Sequence, residues 1–160
     1  MFVRTAGERD LAAVRALLVE TWHATYDAIY GAAKVTEITD DWHSISSLRS
    51  RLTRPNSEFL VADDGKRIGG MAFAEGAEMI MLKQLYVLPG LQGRGIGGML
   101  LDEVIESFPE ARAIRLEVEE QNIRAIAFYE ANGFLRSADV GEQAGALGHP
   151  TLVYIKTLAG

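Results

Sequence analysis

The sequence predicts an α/β fold of the α+β kind: a mixed, mainly antiparallel central sheet flanked by helices, with one parallel pair of central strands. Three features lead there. Residues 58 to 87 read as three strand patterns separated only by turn signals, so neighbouring strands pair antiparallel. The stretch Met79 to Leu101, MIMLKQLYVLPGLQGRGIGGMLL, passes from an aliphatic strand through a glycine-rich turn into an amphipathic helix. A further strand pattern, Ala113 to Val118, follows that helix, and a strand joined to a strand through a helix lies parallel to it with a right-handed crossover.

A chain of 160 residues that is 48% hydrophobic has enough interior for one compact domain covering residues 1–160. Its net charge of −6 argues against a nucleic-acid partner, whose recognition needs a basic footprint, and leaves room for a cationic substrate. With no cysteine, disulfides, thiolate zinc sites and an acyl-cysteine intermediate are excluded, and no metal is expected. Any acyl transfer would be direct or use another nucleophile. The start, MFVRTAGERD, lacks the apolar core of a signal peptide, and no apolar run reaches membrane-spanning length, so a cytoplasmic protein with no membrane partner is expected.

Phe2-Val3-Arg4 suits a short first strand, and Thr5 to Glu8 has the spacing of a capping box. A helix follows, with Leu11, Val14, Leu18 and Trp22 at three- and four-residue steps facing the core. His23, Tyr26, Tyr30, Trp42 and His43 concentrate amphipathic rings in the first third of the chain, either lining a small-molecule pocket or simply packing helices. A second helix is expected to start after Thr39, with Asp40 and Asp41 at its positive end, and to run through Leu48 and Leu52 to Pro55. Glu58 to Ala62 and Arg67 to Glu75 form a hairpin about Asp64-Gly65, and Gly76 turns into the strand that begins at Met79. That strand ends near Val87 or Leu88, because Pro89 cannot donate to a ladder. The next helix shows Ile96, Leu100, Leu101, Val104, Ile105 and Phe108 on one face. From Ala113 to Val118 the apolar Ile114, Leu116 and Val118 lie on one face and Arg115, Glu117 and Glu119 on the other, leaving one face polar. Asn122 caps a short helix whose Ile126 and Ala127 pack inward, and Gly133 ends it. From Arg136, a strand, a glycine-punctuated loop from Gly141 to His149 and the strand Thr151 to Lys156 form a closing hairpin.

A helix that starts in a glycine-rich loop presents unpaired N–H groups and a partial positive charge, which together make an anion site. Gly93, Gly95, Gly97 and Gly98 let an anion approach the backbone, while Gln92 and Arg94 can add donors; the bland alternative is a flexible surface turn. Met99 and Leu100 stand where a P-loop needs Lys-Ser/Thr, which rules that motif out. Gly93, Gly95 and Gly98 do satisfy G-x-G-x-x-G, with Glu117 near the distance of a ribose-binding acid. An NAD-type oxidoreductase is therefore an alternative, opposed by the intervening Leu88 to Gln92 and by three strands with no helices between them.

Gln92-Gly93-Arg94-Gly95-Ile96-Gly97 resembles the Q/R-x-x-G-x-G/A signature of the GCN5-related N-acetyltransferases (GNAT), and the preceding LYVLP resembles their central strand. Asn122-Ile-Arg-Ala-Ile-Ala-Phe-Tyr129-Glu-Ala-Asn-Gly-Phe134 resembles the family's second cofactor-side motif. The resemblance is good from about Phe59 to Phe134. It implies an N-acetyltransferase that uses acetyl-CoA as cosubstrate, without a metal. The loop from Gln92 through Ile96 to Gly98 would hold the pyrophosphate, and Leu85, Tyr86 and Val87, on a strand that splays from its neighbour, would receive the thioester and pantetheine, with the Val87 N–H as oxyanion donor. Asn122 would bond the pantetheine, with Ala125 beside it. Tyr129, seven residues on and on the same side of the helix, would protonate the departing thiolate; its phenol would otherwise simply fill the core.

Some members carry a basic glutamate on the central strand, where this chain has Met81. In the ribosomal-protein N-terminal acetyltransferases, a glutamate in an LEV segment precedes the tyrosine by the same distance as Glu117 precedes Tyr129, which makes Glu117 the candidate base, or else an ion-paired neighbour of Arg115. The expected acceptor is a small-molecule amine or a peptide amine, a small cationic amine or a protein N-terminus, with the N-terminal helices and the loop from Gly141 on its side of the cleft. A noncatalytic acyl-CoA sensor would use the same cofactor motifs. A homodimer is among the assemblies that the resemblance admits.

Overall fold

A computed structural model describes residues 1–141 and 151–158. The expected specificity loop lies, from residue 142 to His149, outside the described residues. The strands are β1 (Phe2–Thr5), β2 (Ser57–Asp63), β3 (Ile68–Gly76), β4 (Met79–Val87), β5 (Ala113–Glu119), β6 (Leu135–Val140) and β7 (Thr151–Thr157). They form one seven-stranded sheet in the order β1-β2-β3-β4-β5-β7-β6. β4 and β5 are parallel and every other neighbouring pair is antiparallel.

The helices are α1 (Leu11–Tyr30), α2 (Ala32–Trp42), α3 (Ile45–Leu52), α4 (Ile96–Glu106) and α5 (Ile123–Ala131). Alternation along β2 and β3 sends side chains into two separate cores. Leu60, Ala62, Ala72 and Ala74 meet Ile96, Leu100, Leu101 and Val104 of α4 on one face. Phe59, Val61, Met71 and Phe73 meet Leu11, Val14, Leu18 and Leu48 of α1 and α3 on the other. Because both faces are covered, these strands carry near-continuous apolar runs. Each fully buried leucine contributes about 1.5–3 kcal/mol.

Three local expectations are corrected. Thr5 does not close a capping box with Glu8; its hydroxyl donates to Glu58, and the Gly7 N–H donates to Asp10, which is itself gripped by Arg4 at 2.8 Å. No helix starts after Thr39: α2 is already ending there, and the next start is Ser44, whose hydroxyl accepts from the Ser47 N–H. Asp40 is held instead by Arg15 at 2.8 Å. On α5, Ile126 packs against the core but Ala127 is exposed. The polar face of β5 is not solvated, since Arg115 and Glu117 are half-buried and Glu119 is buried.

Two irregularities in the middle of the sheet position the site. The register of β3 on β4 shifts so that Phe73 faces Gln84 and Ala74 faces Leu82, which leaves Lys83 as the extra residue of a bulge. β5 pairs with β4 only from Met79↔Ala113 to Leu82↔Leu116, after which the two strands part. β5 continues to Glu119 on its β7 side alone, and β4 continues to Val87 on its β3 side alone.

Candidate active site

Past Leu82 one edge of β4 is open. The Leu88 N–H donates to the Gly69 carbonyl at 2.9 Å, so by the alternation of an antiparallel ladder Gly70↔Val87 and Ala72↔Leu85 are the non-hydrogen-bonded pairs. The backbone groups of Leu85 and Val87 therefore face the gap that β5 has left, whereas those of Tyr86 are committed to β3. The Val87 carbonyl accepts from Gln92 Nε2 at 3.1 Å, and its N–H faces the gap.

The glycine loop brings a helix start to the end of this gap. Gly93 and Gly95 have φ of 81° and 82°, a left-handed backbone that side chains other than Gly, Asn or Asp resist. α4 then makes its first bond from the Met99 N–H to the Gly95 carbonyl at 3.1 Å, which places the N–H groups of Ile96, Gly97 and Gly98 at the exposed positive end. Gly97 has a second use besides lining the cleft. A Cβ there would meet the Phe128 ring at 3.0 Å, so this glycine also lets α4 and α5 approach. Of the two expected side-chain donors, Gln92 is engaged with Val87, and Arg94 is exposed and does not line the cleft.

That cleft, of about 750 Å³, runs from the loop past Leu85 and Val87 to α5. A second, of about 570 Å³, opens on the α1 and α3 side and is walled by Trp22, Tyr26, Arg51, Glu117 and Glu119. Leu85, Tyr86, Asn122, Ala125 and Tyr129 line both. Asn122 Oδ1 accepts the Ala125 N–H at 3.3 Å, capping α5, and its Nδ2 donates to the Tyr26 hydroxyl at 3.4 Å, tying α5 to α1 across the junction. The Tyr129 ring is held edge-on by Phe128 and Phe134, at centroid distances of 5.3 and 5.4 Å. Burial pushes its phenol well above the ordinary tyrosine range, and pushes Tyr86 up to about 12, so both stay protonated at any working pH.

A profile of the acetyltransferase (GNAT) family matches residues 13–134. The chain belongs to that family. An uncharacterized N-acetyltransferase of Mycobacterium tuberculosis (strain ATCC 25618 / H37Rv) is 34% identical over 87 residues, covering 52% of this chain and 56% of that protein. Peptidyl-lysine N-acetyltransferase YiaC of Escherichia coli (strain K12) is 38% identical over 72 residues, covering 45% of each. The chain thus matches about half the length of these curated relatives. The crystal structure of PaiA N-acetyltransferase from Thermoplasma acidophilum in complex with coenzyme A superposes with a TM-score of 0.85 at 24% identity, covering 98% of both chains. The sheet and the family together set aside the dinucleotide fold, since β2, β3 and β4 follow one another antiparallel with no helices between them.

Within this GNAT chain, Glu117 is held in the second cleft. It accepts from Thr151 Oγ1 at 2.9 Å and from Arg115 Nη1 at 3.5 Å, and a Cβ on Gly141 would collide with it. Met81 lies in the zipped part of β4, opposite Arg115. The aromatic concentration seen in the sequence does gather: Trp22 has its ring centroid 4.6 Å from Tyr26, 5.8 Å from Trp42 and 5.4 Å from His43. Sequence reasoning gave no role in the site to Glu119, which is buried and accepts from the Tyr30 hydroxyl, or to Arg51, which donates to the Trp42 carbonyl at 3.0 Å. The period-2 alternation of β5 already put Glu119 on the same face as Glu117; nothing local marked Arg51. The second cleft is not uniformly acidic, because Arg51, Arg54 and Lys83 line it along with Asp41, Glu75, Glu117 and Glu119.

Proposed function

We propose that this chain moves an acetyl group from acetyl-CoA directly to a primary amine. The observation that carries this reading is the junction: two clefts, entering from opposite sides, share Tyr129, Asn122 and the parted edge of β4. A phosphate-bearing donor suits the cleft that ends at the α4 N-terminus, and an amine suits the one that contains Glu117 and Glu119. The residues divide the work as follows. Backbone N–H groups of Ile96 to Gly98 hold the pyrophosphate, while Leu85, Val87 and Asn122 hold the pantetheine arm in extended form. The amine nitrogen attacks the thioester carbonyl carbon, so that a C–N bond forms and the C–S bond breaks. As negative charge grows on the carbonyl oxygen, the Val87 N–H donates to it. Glu117 takes the proton released by the amine, directly or through water, and the Tyr129 hydroxyl gives one to the sulfur. The products are an amide and a free thiol. Raised by burial, the Tyr129 phenol keeps its proton until a thiolate is there to receive it.

The deciding experiment measures thiol release from acetyl-CoA across a panel of amines, alongside calorimetric titration with acetyl-CoA and with NADH. Turnover with at least one amine is expected. Tight acetyl-CoA binding with no turnover would make the chain a noncatalytic sensor, and NADH binding without acetyl-CoA binding would remove the loop's assignment. Glu117→Gln is expected to lower kcat/KM by about 10²-fold and to erase the low-pH inflection of the rate profile, because protonating the base is what abolishes activity there.

A further inference from the structure

The second cleft contains polar atoms that the fold leaves unanswered. Arg51 Nη1 and Gln84 Oε1 are buried and, among the described residues, make no hydrogen bond, although both side chains line that cleft. The Trp22 indole N–H, by contrast, is turned toward the Tyr86 hydroxyl and is answered there. Buried polar groups are nearly always paired, so two orphaned side chains of opposite hydrogen-bonding sense in one cleft mark where a polar ligand sits. The inventory also says what kind. Arg51 Nη1 is a charged donor and needs an anionic acceptor, whereas Gln84 Oε1 accepts and needs an N–H. Both signs of charge line the cleft, since Arg51, Arg54 and Lys83 stand in its wall together with Glu117 and Glu119. A polyamine offers donors and positive charge only. It would leave Arg51 unanswered and meet Arg54 and Lys83 as like charges.

We propose that the acceptor is a small amine that also carries a carboxylate, an amino acid in its simplest form, with the carboxylate on Arg51 and the amine turned toward Gln84, Glu117 and Tyr129. This rests on the transfer proposed above and names its substrate class. An Arg–carboxylate pair in a desolvated cleft is charge-assisted and directional, so its loss is felt in binding of the acid and not of its uncharged analogues.

The test compares each of the twenty amino acids with its own C-terminal amide and its decarboxylated amine, with spermidine and a lysine-containing peptide as further acceptors, by thiol release from acetyl-CoA. At least one acid is expected to exceed its amide in kcat/KM by on the order of 10- to 100-fold. In Arg51→Gln that ratio falls to about one, through KM rather than kcat, and Arg51→Lys keeps part of it. If Arg51→Gln does not fold, the acid-to-amide ratio of the natural chain decides alone. Amides, spermidine or peptide used as well as the acids, or an unchanged ratio in Arg51→Gln, would overturn the inference and leave acetyl transfer standing. No turnover with any amine would overturn the transfer, and this inference with it.

Discussion

The two clefts that meet at Tyr129 are built in opposite ways. The cleft proposed for the donor takes most of its wall from two unbroken stretches, residues 85 to 98, from the end of β4 through the glycine loop into α4, and residues 121 to 129, the start of α5. The cleft proposed for the acceptor is assembled from α1, the α2–α3 junction, α3, the bulge of β4, the polar face of β5 and Thr151, pieces that only the folded sheet brings together. The first uses backbone N–H groups and a helix terminus, which any sequence with the right glycines provides. The second uses side chains, among them Arg51 and Gln84, each with a buried atom that has no partner among the described residues. A cofactor shared by many enzymes calls for the first kind of construction, and a particular acceptor calls for the second.

Tyr129 belongs to both clefts, so its removal gives the largest effect. Tyr129→Phe keeps the ring between Phe128 and Phe134 and deletes only the hydroxyl. The rate of acetyl transfer is expected to fall about 10²- to 10⁴-fold, with acetyl-CoA affinity little changed. An intact rate in a chemistry-limited turnover would show that another group protonates the sulfur.

The next effect belongs to the acceptor side alone. His43 is buried where α2 meets α3, and burial, with Arg51 and Arg15 nearby, pushes it from 6.5 down to about 4. Between those values the unfolded chain binds a proton that the native chain does not, so stability rises with pH through this window and is lost as pH falls from 6.5 toward 4. The loss by pH 4 is on the order of 3 kcal/mol. His43→Leu removes this dependence, while other acid-sensitive groups such as Asp10 remain in both proteins. Melting curves at pH 7 and pH 4.5 should therefore converge for the variant relative to the natural chain. Equal acid sensitivity would mean that His43 takes up its proton inside the fold.

The contrast between the clefts also explains what could be foreseen. The sheet, the hairpin at Gly65, the α4 start and the Asn122 cap were readable because each depends on a few adjacent residues with a characteristic shape or periodicity. α2 was not, since AAKVTEITDDW buries only Val35, Ile38 and Thr39, follows Gly31 at φ 87° and ends in two aspartates that oppose the helix dipole. Once α2 was missed, the place of Ser44 as a cap and of His43 as a buried corner went with it. Arg51 and Glu119 illustrate the same limit at the site: each is an ordinary charged residue in sequence, and acquires its role from contacts with residues far along the chain.

On the donor side, the backbone conformation itself can be broken. Gly95 has φ of 82° and open space where a Cβ would go, so a substitution there strains the loop without a clash. Gly95→Val should let the loop relax elsewhere, and forcing it back costs about 1–3 kcal/mol, a loss of roughly 10- to 100-fold in acetyl-CoA affinity by calorimetry. The same substitution at Gly97 sharpens the distinction, because its Cβ meets Phe128 and the damage should appear in the melting temperature as well as in binding. Equal melting temperatures for the two variants would remove the packing role of Gly97.

Arg94 gives the smallest expected effect and the cleanest check on how the donor side works. Although it sits in the middle of the motif, its side chain is exposed and absent from the cleft wall, while the N–H groups of Ile96, Gly97 and Gly98 are fixed by the helix. An exposed cation near a phosphate contributes less than about 1 kcal/mol and is screened by salt. Arg94→Ala should therefore weaken acetyl-CoA binding only a few-fold at low ionic strength, and by less as salt is added. Because the backbone donors are untouched, the variant should still saturate and turn over at the natural rate. A loss beyond about ten-fold that persists in high salt would mean that Arg94 swings over the pyrophosphate and is desolvated there. The donor cleft would then depend on a side chain in the way the acceptor cleft does, and the division between the two would fail at this residue.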